Sequence, residues 1–131
     1  MFLHMLSDDQ KRAFAALALK LTAADGAVVG REAAKLRALA GEMNLDLGGL
    51  DTGADVATLA ASFTDRRSKV VALLELLGFA YSDTSFQSVE ASMVNEVART
   101  MQVSGDDLKR LEAWVGQHVD HVREAFALMR E

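Results

Sequence analysis

Two acidic pairs are the residues of this chain best suited to chemistry. Glu32 follows Asp25 by seven residues, and Glu90 follows Asp83 by the same interval. An offset of 58 residues carries one pair onto the other. Four carboxylates brought to one place repel strongly unless a cation or protons intervene. Their hard oxygen donors suit Ca²⁺, Mg²⁺ or Mn²⁺ rather than metals that prefer sulfur. A structural role is equally open to them. An Asp ahead of a helix caps its free amides, and a Glu in the first turn complements the helix dipole. On residue types and spacing alone, the cation site and the caps both stand. The pattern is not an EF-hand, because the alternating oxygen ligands and the twelfth-position Glu are missing after Asp25.

The remaining candidates are weaker. His118 and His121 lie three apart on one helix, with Asp120 and Glu124 near them. Two histidines without a third ligand read as a solvated face rather than a transition-metal site. Asp65, Arg66, Arg67 and Lys69 read as an exposed helix start with local ion pairs. Trp114, the one tryptophan, reads as core or core edge. The chain has no cysteine, which excludes disulfides, thiolate-zinc sites and thiol catalysis and is compatible with the cytoplasm. It contains no nucleophile elbow, P-loop, dinucleotide fingerprint or H-E-x-x-H motif. An enzyme is not expected.

The elements that would position the acidic pairs are helices. With no proline and many Ala, Leu, Glu, Lys and Arg residues, nothing forces a break in the backbone ladder. Ser7 with Gln10 forms a capping box, and the spacing of Phe14, Leu17, Ala18 and Leu21 predicts a first helix to about Ala24. Asp25-Gly26 ends it. A second helix is expected from about Gly30 to Met43, a loop around Gly48-Gly49 and Gly53, and a short helix from Asp55 to Phe63. Thr64 or Asp65 caps the next. That helix is apolar on most of its circumference through Val70, Val71, Leu73, Leu74, Leu77 and Phe79, the pattern of a helix at the centre of a bundle. A further helix spans about Phe86 to Met101. Ser104 and Asp107 form a second capping box for the last helix, Gly105 to about Met129, with Gly116 as a candidate bend. Its apolar positions are Leu108, Leu111, Val115, Val119, Val122 and Phe126. Ahead of the first helix, Met1 to Leu6 reads as an apolar arm of the mature chain packed on the bundle.

The 58-residue offset extends beyond the acidic residues. It aligns Ala33 with Ala91, Ala40 with Ala98 and Met43 with Met101, and it keeps apolar character at Val28/Phe86, Leu36/Val94, Leu39/Val97 and Leu21/Phe79. Each half reads as helix, acidic loop, helix, connector, the signature of an internal duplication. Two such halves would pack about a pseudo-twofold axis and bring their loops into related positions.

The run Ala23-Ala24-Asp25-Gly26-Ala27-Val28, with Glu32 and the Leu36/Leu39-Ala40 stripe, resembles the TerB-like family (tellurite resistance protein B), a module also similar to the N-terminal part of DjlA co-chaperones. The second copy, Asp83 to Ala98, fits the family's second motif, and the resemblance covers most of the chain. It implies a compact, internally duplicated bundle of about seven helices. It also implies metal binding by clustered acidic residues, here Asp25, Glu32, Asp83 and Glu90, and an association with tellurite and chemical-stress responses. Thr84 stands where the family usually has Gly, and Gly30 and Ser88 stand where further acids often occur, so the donor set would be smaller.

At 131 residues and 50% hydrophobic composition, the chain is long enough for one core. The expectation is therefore one all-α domain over residues 1–131, a bundle of six or seven helices. Its first half would span about 7–46, its second about 65–104, and its C-terminal helix about 105–130. The net charge of −5 disfavours a nucleic-acid partner. The longest apolar stretch, Val70 to Tyr81, carries Glu75 and falls short of the ~20 residues a spanning helix needs. The expected partner is another protein. A plain interaction module, with an apolar groove near Trp114 or the N-terminal arm for a partner helix, is the other reading.

Overall fold

The computed structural model describes residues 2–23, 38, 40, 41, 53–81 and 88–130. Among them the fold is compact and all-helical. A 3-10 turn at Leu3–Met5 leads into α1 (Asp8–Ala23). Then come α2 (Val56–Ala60), α3 (Arg66–Tyr81), α4 (Ser88–Thr100) and α5 (Gly105–Met129). None of these helices is long and apolar enough to cross a membrane. The expected helix over 30–43 lies mostly outside the described residues. Within that range Ala38, Ala40 and Gly41 are helical, and Ala40 is buried.

The helices begin where side chains can satisfy their first amides. At α1 the Ser7 backbone N–H donates to Gln10 Oε1 (3.0 Å) and the Gln10 N–H donates to Ser7 Oγ (3.2 Å), the reciprocal box expected. Asp55 caps α2 by accepting from the Thr58 N–H at 2.8 Å. Asp65 rather than Thr64 caps α3, accepting from the Ser68 N–H at 3.3 Å. At α5 only half of the expected box forms. Ser104 Oγ accepts from the Asp107 N–H (3.1 Å), but the Asp107 carboxylate turns to Arg66 on α3, 3.1 Å away. A cation on a neighbouring helix outcompetes the local backbone amide for that carboxylate.

The central position of α3 follows from its sequence. Val71, Ala72, Leu73, Leu76 and Leu77 are all buried, and they cover too much of the helix circumference for one packing partner. The helix accordingly touches α1, α4, α5 and the 3-10 turn. From α1 come Phe14, Leu17 and Leu21, from α4 Val94 and Val97, and from α5 Leu108 and Val115. The N-terminal arm packs as expected, with Leu3 and Leu6 buried. α2 lies against α1 and α4, with Leu59 and Ala60 inward.

Helices α1 and α3 begin at Asp8 and Arg66, 58 positions apart, the interval that separates the acidic pairs. At the far end of the chain, Gly116 does not interrupt α5, which runs for 25 residues. Its apolar positions divide. Leu108 and Val115 are buried, Leu111 and Val119 are half-buried, and Val122 and Phe126 are exposed.

The end of α4 contains one strained residue. Gln102 has φ 60° in a Schellman closure, where the Val103 N–H reaches the Ala98 carbonyl (2.9 Å) and the Gln102 N–H the Arg99 carbonyl (3.0 Å). Glycine adopts that backbone without a Cβ penalty. Gln102→Gly is expected to raise stability by up to about 1 kcal/mol in urea denaturation. Leu77→Ala, in the most enclosed part of α3, is expected to cost ~2–5 kcal/mol in the same experiment.

Candidate functional site

Helix α1 is described to Ala23 and α3 to Tyr81, and in the sequence Asp25 and Asp83 each come two positions later. Glu90 is the third residue of α4. Asp25, Glu32 and Asp83 lie outside the described residues, and Glu90 falls within them by its backbone alone. Among the described residues, no group of three or more His, Asp or Glu side chains is gathered as a metal would require.

The histidine pair separates. The His118 ring stacks on Trp114, with centroids 5.3 Å apart and planes within 4°. His121 turns instead to Glu124, 3.6 Å away on the solvated side of the helix. Three-residue spacing puts both on one side of α5, but each ring finds its own neighbour. The solvated-face reading fits His121, which is exposed, whereas His118 is half-buried against Trp114.

Trp114 is not a core residue. It is 43% exposed and forms one wall of a cleft between α5, α3 and the N-terminal arm. The cleft, about 190 Å³, is lined by Phe2, Leu74, Glu75, Gly78, Trp114 and His118. The Phe2 ring lies 6.2 Å from Trp114, tilted by 50°. The Phe2 backbone N–H donates to Glu75 Oε1 at 2.8 Å, across 73 residues of sequence. Leu3 is fully buried and holds the arm in place. The result is an aromatic rim over a largely apolar floor with one carboxylate, a shape that takes an apolar side chain. In the sequence Glu75 stands out only as a break in an apolar run. A charge inside an otherwise apolar helix is nonetheless a signal that some donor must meet it.

Two cap carboxylates carry a perturbed charge. Thr58, by its side chain first and its amide second, holds the Asp55 carboxyl below its ordinary range, with Lys20 helping at a distance. Ser68 does the same for Asp65, again chiefly through its side chain, against the opposing effect of desolvation. Both carboxylates are spent on helix starts, which is structural chemistry. The basic residues beside Asp65 are partly committed too, since Arg66 bridges to Asp107.

No protein-family model matches the chain, and no curated protein or solved structure does so either.

The two caps generate a pH dependence. Because their folded-state pKa values are lowered, their ionised forms stabilise the fold above the ordinary aspartate range. That contribution is lost as pH falls through the depressed values. The melting temperature of wild type is therefore expected to exceed that of Asp55→Asn/Asp65→Asn at neutral pH. The gap should close as pH is lowered below the ordinary aspartate range, followed by circular dichroism.

Proposed function

We propose that this chain is a non-enzymatic, TerB-like helical domain that holds a divalent cation between the acidic loops of two duplicated halves. In this reading Asp25, Glu32, Asp83 and Glu90 are the ligands, and Ca²⁺, Mg²⁺ or Mn²⁺ is the ion. The observation that carries it is the single 58-residue offset. That offset relates the starts of α1 and α3, Asp8 and Arg66, and the capping residues Ser7 and Asp65. It also relates the buried residues Ala40 and Ala98. The same offset carries Asp25 onto Asp83 and Glu32 onto Glu90. Helices repeated in register deliver their following loops in register. Four carboxylates delivered that way favour a cation that offsets their repulsion. The bundle of six or seven helices, the cytoplasmic setting and the accessory or sensing role in tellurite or chemical-stress response belong to the same proposal. They rest on the family resemblance.

The cleft beside Trp114 favours a second reading, a helical protein-interaction module with no metal site. There the acidic residues serve as helix caps, and an apolar side chain from a partner helix enters the cleft beside the Phe2 and Trp114 rings.

Thermal melts with and without Ca²⁺, Mg²⁺ and Mn²⁺ separate the two. An ion that binds only the folded chain raises its stability by ~2.7 kcal/mol at one hundred times its dissociation constant. The expected result is a saturable, ion-selective rise in melting temperature that disappears in Asp25→Asn/Asp83→Asn. No rise with any ion, together with destabilisation by the substitutions, would leave the carboxylates as caps and favour the interaction module.

A further inference from the structure

Helix α5 has 25 residues and packs chiefly on α3. Its apolar stripe runs on beyond the part of α5 that is core. Leu108, Val115, Val122 and Met129 recur every seven residues, with Val119 and Phe126 between them at the complementary positions. The first part of this stripe is core. The last part is open, with Val122 40%, Phe126 56% and Met129 75% exposed. Seven-residue spacing holds a stripe to one side of a helix and is the spacing that lets two helices pack along their length.

We infer that residues 119–129 of α5 pair antiparallel with the same segment of a second copy of this chain, making a weak twofold dimer. A twofold interface must be complementary to itself, and this segment is. In the antiparallel register centred on Glu124, Val119 lies opposite the partner's Met129, and Val122 lies opposite the partner's Phe126. Each layer thus sets a small β-branched side chain against a large one, which fills space evenly along the seam. In the same register Arg130 comes level with the partner's Asp120, within about one helical turn along the axis. Both residues are exposed, and neither makes an ion pair among the described residues. The segment from His118 to Arg130 holds two acids, Asp120 and Glu124, and two bases, Arg123 and Arg130. Pairing it therefore adds no net charge, although the chain as a whole carries −5.

Val119, Val122, Phe126 and Met129 of two copies make a small interface, below the standard size for a stable complex. The dimer is therefore expected to dissociate at low concentration. This assignment is independent of the acidic loops and of the Trp114 cleft.

Sedimentation equilibrium of the full chain from about 5 to 500 µM, which brackets micromolar association, tests it. The expected mass rises from the 14.1 kDa of one chain toward twice that value. Phe126→Glu, at an exposed position that leaves the core intact, should stay monomeric with an unchanged circular dichroism spectrum. Arg130→Asp should weaken association at least tenfold, and Asp120→Arg/Arg130→Asp should recover most of it. A wild type that stays monomeric throughout overturns the inference, as does a dimer indifferent to Phe126→Glu. So does a monomer that instead sediments with phosphatidylglycerol vesicles, the behaviour of a membrane-surface helix. Charge reversals that show no mutual rescue overturn the proposed register.

Discussion

The burial of α3 from several sides is the constraint on which the rest of the fold depends. A helix with leucine, valine and alanine over most of its circumference cannot be satisfied by one neighbour, so α1, α4 and α5 must all reach it. This sets the shape of the whole. It draws Leu3 and Leu6 of the arm onto the same core and leaves few places where a polar side chain meets α3. Two exceptions are informative. Ser68 is buried at the helix start, where its hydroxyl returns to the Asp65 carbonyl at 3.0 Å. Glu75 is half-buried in the middle and takes the backbone amide of Phe2. A carboxylate drawn partly out of water needs such a donor, and the N-terminal arm supplies it.

Near the start of α3, Arg66 pairs with Asp107 and ties α5 to it by its first turn. Further along, the same stripe that is core at Leu108 and Val115 becomes surface at Val122 and Phe126, although its residue types stay apolar throughout.

Much of the helical skeleton is legible in the sequence because its signals are local. Ser7 and Gln10, Asp55, and Ser104 mark helix starts through bonds spanning three residues, and hydrophobic periodicity needs only one helix to express itself. That is why α1, α2, α3, α4 and α5 fall close to where periodicity and capping put them, and why α3 is recognisable as central. The residues that depart from expectation all depend on contacts distant in sequence or on one ring finding another. Asp107 leaves its local box for Arg66. Trp114, expected at the core or its edge, sits at a cleft rim because Phe2 covers only part of it. His118 and His121 part because an aromatic ring lies beside one and a carboxylate beside the other.

The sequence by itself determined the helical class, the helix starts and the apolar face of each described helix. All of these arise from interactions within about one helical turn, or from periodicity along a single element. Tertiary structure alone decided which carboxylate meets which cation, how far the arm reaches across α3, and where the stripe of α5 passes from core to surface. Those outcomes depend on the contacts of elements far apart in the chain, and no local pattern encodes them.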